Sequence, residues 1–213
     1  MLSNKNLLCL LDLFFDASYF LTSFPYLLVI CLFLIWVRTK NNFSASFALR
    51  FQNRKSLWRN QVYEALRLSA LITGGEIIPI MGYAVSMGVT KYNWNSEQSY
   101  FFLNTQQTLQ VTWWLCLLAY IVAAFLFGFG CMICFIVSRW IFDIPVISWI
   151  SLLILFYGEY FSKHTLFFQN LCLKYEDWIE EAVWNKLLMA LLIIAALLAA
   201  GEGVSSKKEF YVR

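Results

Sequence analysis

Charged residues are scarce in this sequence, and their scarcity excludes a water-soluble domain. Only 14% of the 213 residues are charged, whereas 61% are hydrophobic and 19% aromatic, and the mean hydropathy is +0.64. A soluble domain of this length needs far more charge to cover its surface. A bilayer-spanning helix needs about 20 mostly apolar residues, and several stretches meet that requirement. The sequence therefore predicts an all-α fold, a polytopic membrane helix bundle.

Residue types and motifs that carry common catalytic chemistry are also missing. His164 is the single histidine, and no group of histidine, cysteine and carboxylate residues has metal-ligand spacing. No GxxxxGK[ST] motif occurs, so we expect no phosphate-binding loop in this chain. Cys131 and Cys134 have CxxC spacing inside an apolar helix, where packing is the more common role. We predict a non-catalytic membrane subunit without a metal or cofactor of its own.

Five stretches are long and apolar enough to cross a bilayer. They lie at about 17–37, 63–89, 109–137, 144–160 and 185–203. Together they form a bundle over 17–203, which a tail at 204–213 follows. Small residues recur there at four-residue spacing: Ala119 with Ala123, Ala124 with Gly128, Ala195 with Ala199, and Ala196 with Ala200. Such spacing favours close helix packing inside the bundle, or a dimer seam.

Residues 1–16 have the pattern of an amphipathic segment. One helical face carries the apolar residues Leu7, Leu8, Leu11, Phe14 and Phe15, and the acidic residues Asp12 and Asp16 lie off it. We expect this segment to lie in the membrane interface rather than to cross it. The two acidic residues and the lack of a small-residue cleavage site also argue against a cleavable signal peptide.

The cationic residues are distributed unevenly between the two sides of the predicted bundle. Alternate connections and the tail carry most of them: Arg38, Lys40, Arg50, Arg54, Lys55, Arg59, Arg139, Lys207, Lys208 and Arg213. The other side carries Lys5, Lys91, Lys163 and Lys174, with Lys186 at a boundary. By the positive-inside rule, the N-terminus lies outside and the C-terminus in the cytoplasm of a multi-pass cell-membrane protein. The net charge of +3 is too small to favour nucleic acid as a partner.

Glu76 stands near the middle of the second predicted span. An ionised carboxylate at that depth is costly and usually faces a bundle interior or a wet cavity. In one interpretation Glu76 belongs to a substrate path or a proton-linked switch. In the other, the stretch GGEIIP is locally unwound by Gly74, Gly75 and Pro79, and Glu76 lies near water.

An acidic run lies on the predicted outer side. Its candidate binding residues are Glu176, Asp177, Glu180 and Glu181. An acidic outer rim could attract a cationic peptide, whereas such a run is also typical of a solvated face. Both interpretations stay open.

The predicted cytoplasmic segment 43–60 mixes cations with aromatic residues. Drawn as a helix over 43–62, it brings Phe43, Phe47, Phe51 and Trp58 within about an 80° arc. It could be a positive-inside anchor, or a docking helix that inserts aromatic side chains into a groove on a cytoplasmic partner. The candidate contact residues are Phe47, Arg50, Phe51, Arg54, Lys55, Trp58 and Arg59.

The stretch ASFALRFQNRKSLWRNQVYEALRLSALI resembles the segment after a membrane span in small bacterial (Firmicute-type) permeases of ABC exporters. The shared features are a basic, aromatic run, here Arg50, Phe51, Arg54, Lys55 and Trp58, and the layout of the later spans up to the ending SSKKEFYVR. The resemblance implies a type-2 exporter fold whose basic segment couples to a cytoplasmic ABC ATPase subunit. It also implies a second permease copy or homologous permease, and a link to bacteriocin or lantibiotic export or immunity. That family usually has six spans, and its first has no counterpart here.

Our leading hypothesis is a permease subunit of an ABC exporter, surrounded by membrane lipid, that moves a peptide or other amphipathic substrate. ATP would be hydrolysed by a separate subunit, whose movement pushes on residues 43–60 and rocks the second span. The rival hypothesis is a stand-alone scaffold or immunity protein that binds its target through the outer acidic run. A membrane-embedded enzyme is a distant third.

Overall fold

The computed structural model describes residues 7–17, 24–40, 53–142, 144–162 and 167–207. The helices in these ranges are α1 (Leu10–Ala17), α2 (Phe24–Thr39), α3 (Arg54–Met87), α4 (Tyr100–Thr105), α5 (Trp113–Phe142), α6 (Pro145–Ser162), α7 (Phe168–Leu171), α8 (Tyr175–Ile179) and α9 (Val183–Lys207). Extended pairing in the described ranges is limited to one isolated parallel bridge between Cys9 and Thr90. The predicted all-α membrane bundle is confirmed.

Four of the helices, α3, α5, α6 and α9, are long and apolar enough to cross a membrane. They correspond to the last four predicted spans. The first predicted span, 17–37, overlaps α2, which has 16 residues. At 1.5 Å per residue α2 is about 24 Å long, shorter than the roughly 30 Å core of a bilayer. Residues 18–23, which precede it, lie outside the described ranges.

Helix α5 is the centre of the bundle and contacts α1, α2, α3, α6, α7 and α9. Its most apolar window is 67% buried inside the protein, against 22% for each of the other three long helices. Small residues allow this: Ala119 and Ala123 are buried, and a Cβ on Gly130 would lie 2.1 Å from the Phe167 ring. The predicted close packing is confirmed for α5. The alanines at 195, 196, 199 and 200 are instead exposed on α9.

Helix α3 runs without interruption through 34 residues, including Gly74, Gly75 and Pro79. The interpretation in which GGEIIP is locally unwound is therefore wrong. Asn53, in an extended conformation (φ −154°, ψ 164°), is the N-cap of this helix, and its Oδ1 accepts from the Ser56 amide at 2.7 Å. One continuous helix over 43–62 is therefore also wrong, because this cap begins a new helix. Gly88, at a φ of 62°, ends α3 in the left-handed conformation that favours glycine.

The two ends of the bundle differ. At the end that we call the basic end, the first turns of α3 meet the last turns of α9, and α6 begins with Pro145 at its first helical position. At the opposite end, which we call the capped end, α1, residues 88–112 and α8 cover the long helices, whereas α7 packs against the sides of α5, α6 and α9. Backbone bonds join its segments: the Leu10 amide donates to Thr90 at 2.8 Å, and the Tyr100 amide to Leu7 at 2.8 Å.

Helix α1 is folded into the protein at the capped end. Its residues Leu11, Phe14 and Phe15 are buried, and it contacts α3 and α5. Asp12, which the helical pattern put away from the apolar face, is 0% exposed. Asp12 is buried although it lies off the apolar face of α1, because Trp94 and Tyr175 from later in the chain donate hydrogen bonds to it.

Candidate functional site

The residues predicted to contact an ATPase fall into two groups. Phe47, Arg50 and Phe51 lie outside the described residues. Arg54, Lys55, Trp58 and Arg59 occupy the first two turns of α3 at the basic end. Lys55 and Arg59 are exposed there, and Arg54 is half-buried. Their cationic heads lie at the end of a helix that continues through the whole bundle.

Trp58 faces inward rather than outward. It is 3% exposed and its ring lies against Gly201 of α9, where a Cβ would stand 2.1 Å from Trp58 Cη2. Its ring also packs edge-to-face against Trp140 of α5, with centroids 6.5 Å apart. Trp140 Nε1 in turn donates to Gln61 Oε1 at 2.7 Å. Trp58 thus joins α3, α5 and α9, and it is not available to enter a groove on a partner as predicted.

An exposed ion pair adds to this junction. Arg59 Nη2 lies 3.3 Å from Glu202 Oε1, and the two side chains are 74% and 44% exposed. Because such pairs are screened by solvent, this one contributes at most about 1 kcal/mol. It nevertheless links the first turns of α3 to α9.

Glu76 lies on the side of α3 that faces α5, the central helix. Tyr120 of α5 donates its hydroxyl proton to Glu76 Oε1 at 2.8 Å. Tyr120 is 1% exposed, whereas Glu76 is half-buried. The Tyr120 ring packs against the Phe14 ring of α1, with centroids 4.7 Å apart. The carboxylate is therefore held by α5 and covered by α1 from the capped end.

Other polar groups continue from Glu76 along the same face of α3. Thr73 and Ser69, three and seven residues earlier, are both buried. Ser69 Oγ donates to the Phe125 carbonyl of α5 at 2.7 Å, and a Cβ on Gly128 would lie 3.1 Å from that oxygen. The α3–α5 contact thus has a polar strip inside an apolar bundle.

At the capped end, Asp12 is an internal hydrogen-bond acceptor. It accepts from the Cys9 amide at 2.8 Å, from Trp94 Nε1 at 2.8 Å and from the Tyr175 hydroxyl at 3.1 Å. Burial, the largest cause, raises the pKa of Asp12 although all three donors lower it. Burial together with Asp12 raises the pKa of Cys9 to about 12, which keeps that thiol protonated.

The predicted acidic run separates into one internal residue and three exposed ones. Asp177 accepts from the Lys174 amide at 2.8 Å and pairs with Lys186 Nζ at 2.5 Å. Glu176, Glu180 and Glu181 are exposed beside it. Asp177 therefore fixes the segment, and the three glutamates form its charged surface.

The roles of several polar residues could not be predicted from the sequence. Tyr120 and Asp12 acquire their roles from partners 44 and 82 residues away. Glu159 is 3% exposed and accepts from the Phe168 and Gln169 amides, at 2.9 and 2.8 Å, so that it caps α7. The sequence does carry one indication of these roles: each polar residue lies inside an apolar stretch, where it needs a hydrogen-bond partner.

The geometry can thus support two kinds of function: transmission of force along α3 to an intramembrane carboxylate, and binding at the acidic surface of the capped end. Comparison with protein-family models, with curated proteins and with solved structures finds no significant match to this chain.

Proposed function

We propose that this chain is the membrane permease subunit of an ABC exporter for a peptide or other amphipathic substrate. A separate cytoplasmic subunit would hydrolyse the ATP. One observation carries the proposal: α3 is a single unbroken helix that has Arg54, Lys55 and Arg59 in its first turns and Glu76 beyond its middle. A force applied to the cationic turns is therefore delivered directly to the carboxylate inside the bundle.

The contacts of the basic end define what would move. Trp58 seated on Gly201 and the Arg59–Glu202 pair join α3 to α9. A push on the first turns of α3 would carry α9 with it and shift both against α5, a rigid-body movement of packed helices. Trp58 acts in this scheme as an internal link, and the exposed cations act as the contact with the ATPase.

The same proposal assigns an orientation and partners. The cationic basic end faces the cytoplasm, in accord with the positive-inside rule, and the capped end faces outward from the cell membrane. A second permease copy or a homologous permease completes the transporter. Because the sequence given has no GxxxxGK[ST] motif, this scheme requires a separate ATPase as partner.

A charge reversal tests the coupling. The chain is co-expressed with an ABC ATPase subunit from the same genome, and the complex is purified in mild detergent. Lys55→Glu should weaken association about tenfold, because it puts a negative charge into the contact. Lys207→Glu, an exposed lysine at the same end on α9, is the matched control and should keep the affinity. If the unaltered chain and both variants bind the ATPase with equal affinity, the proposal is contradicted.

The alternative is a stand-alone scaffold or immunity protein. It is favoured by the exposure of Glu176, Glu180 and Glu181 on a segment that the Asp177–Lys186 pair holds in place. In this case a cationic partner would bind the capped end, and the triple Glu→Gln variant would lose that partner. No nucleotide-binding subunit would then remain with the purified chain.

A further inference from the structure

Glu76 differs from the other internal carboxylates in having an incomplete set of partners. Tyr120 donates to Oε1, and no other described residue donates to Glu76 or pairs with it. The ion pairs among the described residues are Arg59–Glu202, Arg67–Glu64 and Lys186–Asp177, so no cation from that part of the chain lies beside Glu76. Its second oxygen, Oε2, is left to an outside donor.

A carboxylate inside a bilayer needs compensation. An ionised one is costly there unless a positive charge or several hydrogen bonds accompany it. Asp12 meets this need with three donors and Asp177 with a lysine. Glu76 has one neutral donor, which orients the group without neutralising it. A bound ammonium or guanidinium group would supply both the charge and the missing N–H donors.

The Glu76 side chain is enclosed in part. Phe14 of α1 packs on the Tyr120 ring that holds it. Glu76 itself is only half-buried, and the neighbouring Gly75 is exposed on α3 with no atom within 4 Å of an added Cβ. Part of the carboxylate therefore stays accessible from the surface of α3, at the depth of the membrane, where an amphipathic molecule would travel.

We propose that Glu76, oriented by Tyr120, binds the ammonium or guanidinium group of the substrate, which is therefore a cationic amphipathic molecule. This inference rests on the proposed export function, because only that function makes the bound molecule a substrate. The binding chemistry itself involves only Glu76, Tyr120 and the open side of α3, and it needs no ATPase.

Carbodiimide labelling tests the site in the purified full chain in lipid nanodiscs. Dicyclohexylcarbodiimide is soluble in the membrane and adds to protonated carboxyl groups, and mass spectrometry locates the adduct. Labelling at Glu76 should fall about tenfold at a dodecylamine concentration about ten times its Kd, because only unoccupied sites are labelled. Dodecanol at the same concentration has the same chain without the charge and should leave the labelling unchanged.

The main measurement, labelling of Glu76 with and without dodecylamine, uses the unaltered protein. It therefore does not depend on whether a variant folds. Glu76→Gln should lose the adduct, and Glu64→Gln, which removes a carboxylate from the same helix, should keep both the adduct and its protection. Equal protection by dodecylamine and dodecanol, or no adduct at Glu76, would overturn the inference. The two proposals can fail separately. If dodecylamine still protects Glu76 but Lys55→Glu leaves ATPase association unchanged, the cation site is supported and the exporter function is contradicted.

Discussion

The capped end and the basic end use the few charges of this chain in opposite ways. At the capped end carboxylates point inward: Asp12 holds Trp94 and Tyr175, Asp177 holds Lys186, and Glu159 caps α7. At the basic end Lys55, Arg59 and Lys207 stay exposed whereas Arg139 is buried, and shape joins α3 to α9 through Trp58 on Gly201. Internal carboxylates make the capped end a fixed cover, whereas the basic end keeps these three cations on its surface.

The largest expected effect is at Asp12. Asp12→Ala leaves the Trp94 indole N–H, the Cys9 amide and the Tyr175 hydroxyl without their acceptor, which should lower the free energy of unfolding by about 3 kcal/mol or more. Thermal unfolding in detergent measures it. Asp16→Ala is the control, since Asp16 is exposed on the same helix. Similar losses for the two variants would contradict the role of Asp12 as the centre of the cover.

A matched pair of glycines tests shape at the basic end. Gly201→Ala puts a methyl group 2.1 Å from Trp58 Cη2, and overpacking of this kind costs about 1–3 kcal/mol. At Gly203, two residues later on α9, a Cβ meets no atom within 4 Å, so Gly203→Ala should be neutral or stabilising by up to about 1 kcal/mol. If the two variants unfold at the same temperature, Trp58 does not hold α9.

The pH dependence of stability should come from the capped end. Burial raises the pKa of Asp12 above its ordinary value of 3.8. The pKa of Asp16 is raised as well, by partial loss of solvent around its carboxyl and second by the Asp12 charge, although that side chain is largely exposed. Both groups therefore favour the folded state most at a pH below the unfolded pKa, and this stability is lost as the pH rises through the folded pKa. The slope is at most about 1.4 kcal/mol per pH unit for Asp12, and solvent screening makes the contribution of Asp16 smaller.

Thermal unfolding at a series of pH values from about 4 upward measures this slope. Asp12→Asn removes one of the two titrating groups, so its unfolding should depend less on pH. A slope of the opposite sign, or one that Asp12→Asn leaves intact, would contradict the assignment.

The smallest effect is expected for the exposed ion pair. Glu202→Gln removes the partner of Arg59 at a site where both side chains are largely solvated, so the loss should be below about 1 kcal/mol. Salt should reduce it further, since exposed charges are screened at about 0.15 M ionic strength. A loss well above about 1 kcal/mol that salt reduces would mean that charge rather than shape holds the basic end.

The helical elements were predictable because their signal is local. The long apolar runs identify α3, α5, α6 and α9, and small residues identify the buried face of α5. Two local expectations failed at α3. The Asn53 cap begins a helix where a continuous one was expected, and Gly74, Gly75 and Pro79 do not unwind it. Here each residue's own preference was weaker than the hydrogen bonding and packing of a helix in the bundle.

The candidate site was predictable only in part. Glu76 was identified from the cost of a carboxylate at mid-span, which depends on position along the chain. Its donor Tyr120 could not be identified, because a tyrosine in an apolar helix has no local mark of its partner. Trp58 was assigned to the wrong surface for the same reason, since the slot above Gly201 exists only when α3 and α9 pack.

The sequence by itself determined that this protein is an all-α membrane bundle, that its cations gather in certain connections, and that Glu76 lies within a span. These properties follow from composition and from spacing along one helix. Only the tertiary structure decided which polar groups became internal acceptors and which stayed open. Hydrogen bonds such as Trp94 to Asp12 join residues 82 positions apart, and their free energy depends on burial that no single segment creates alone.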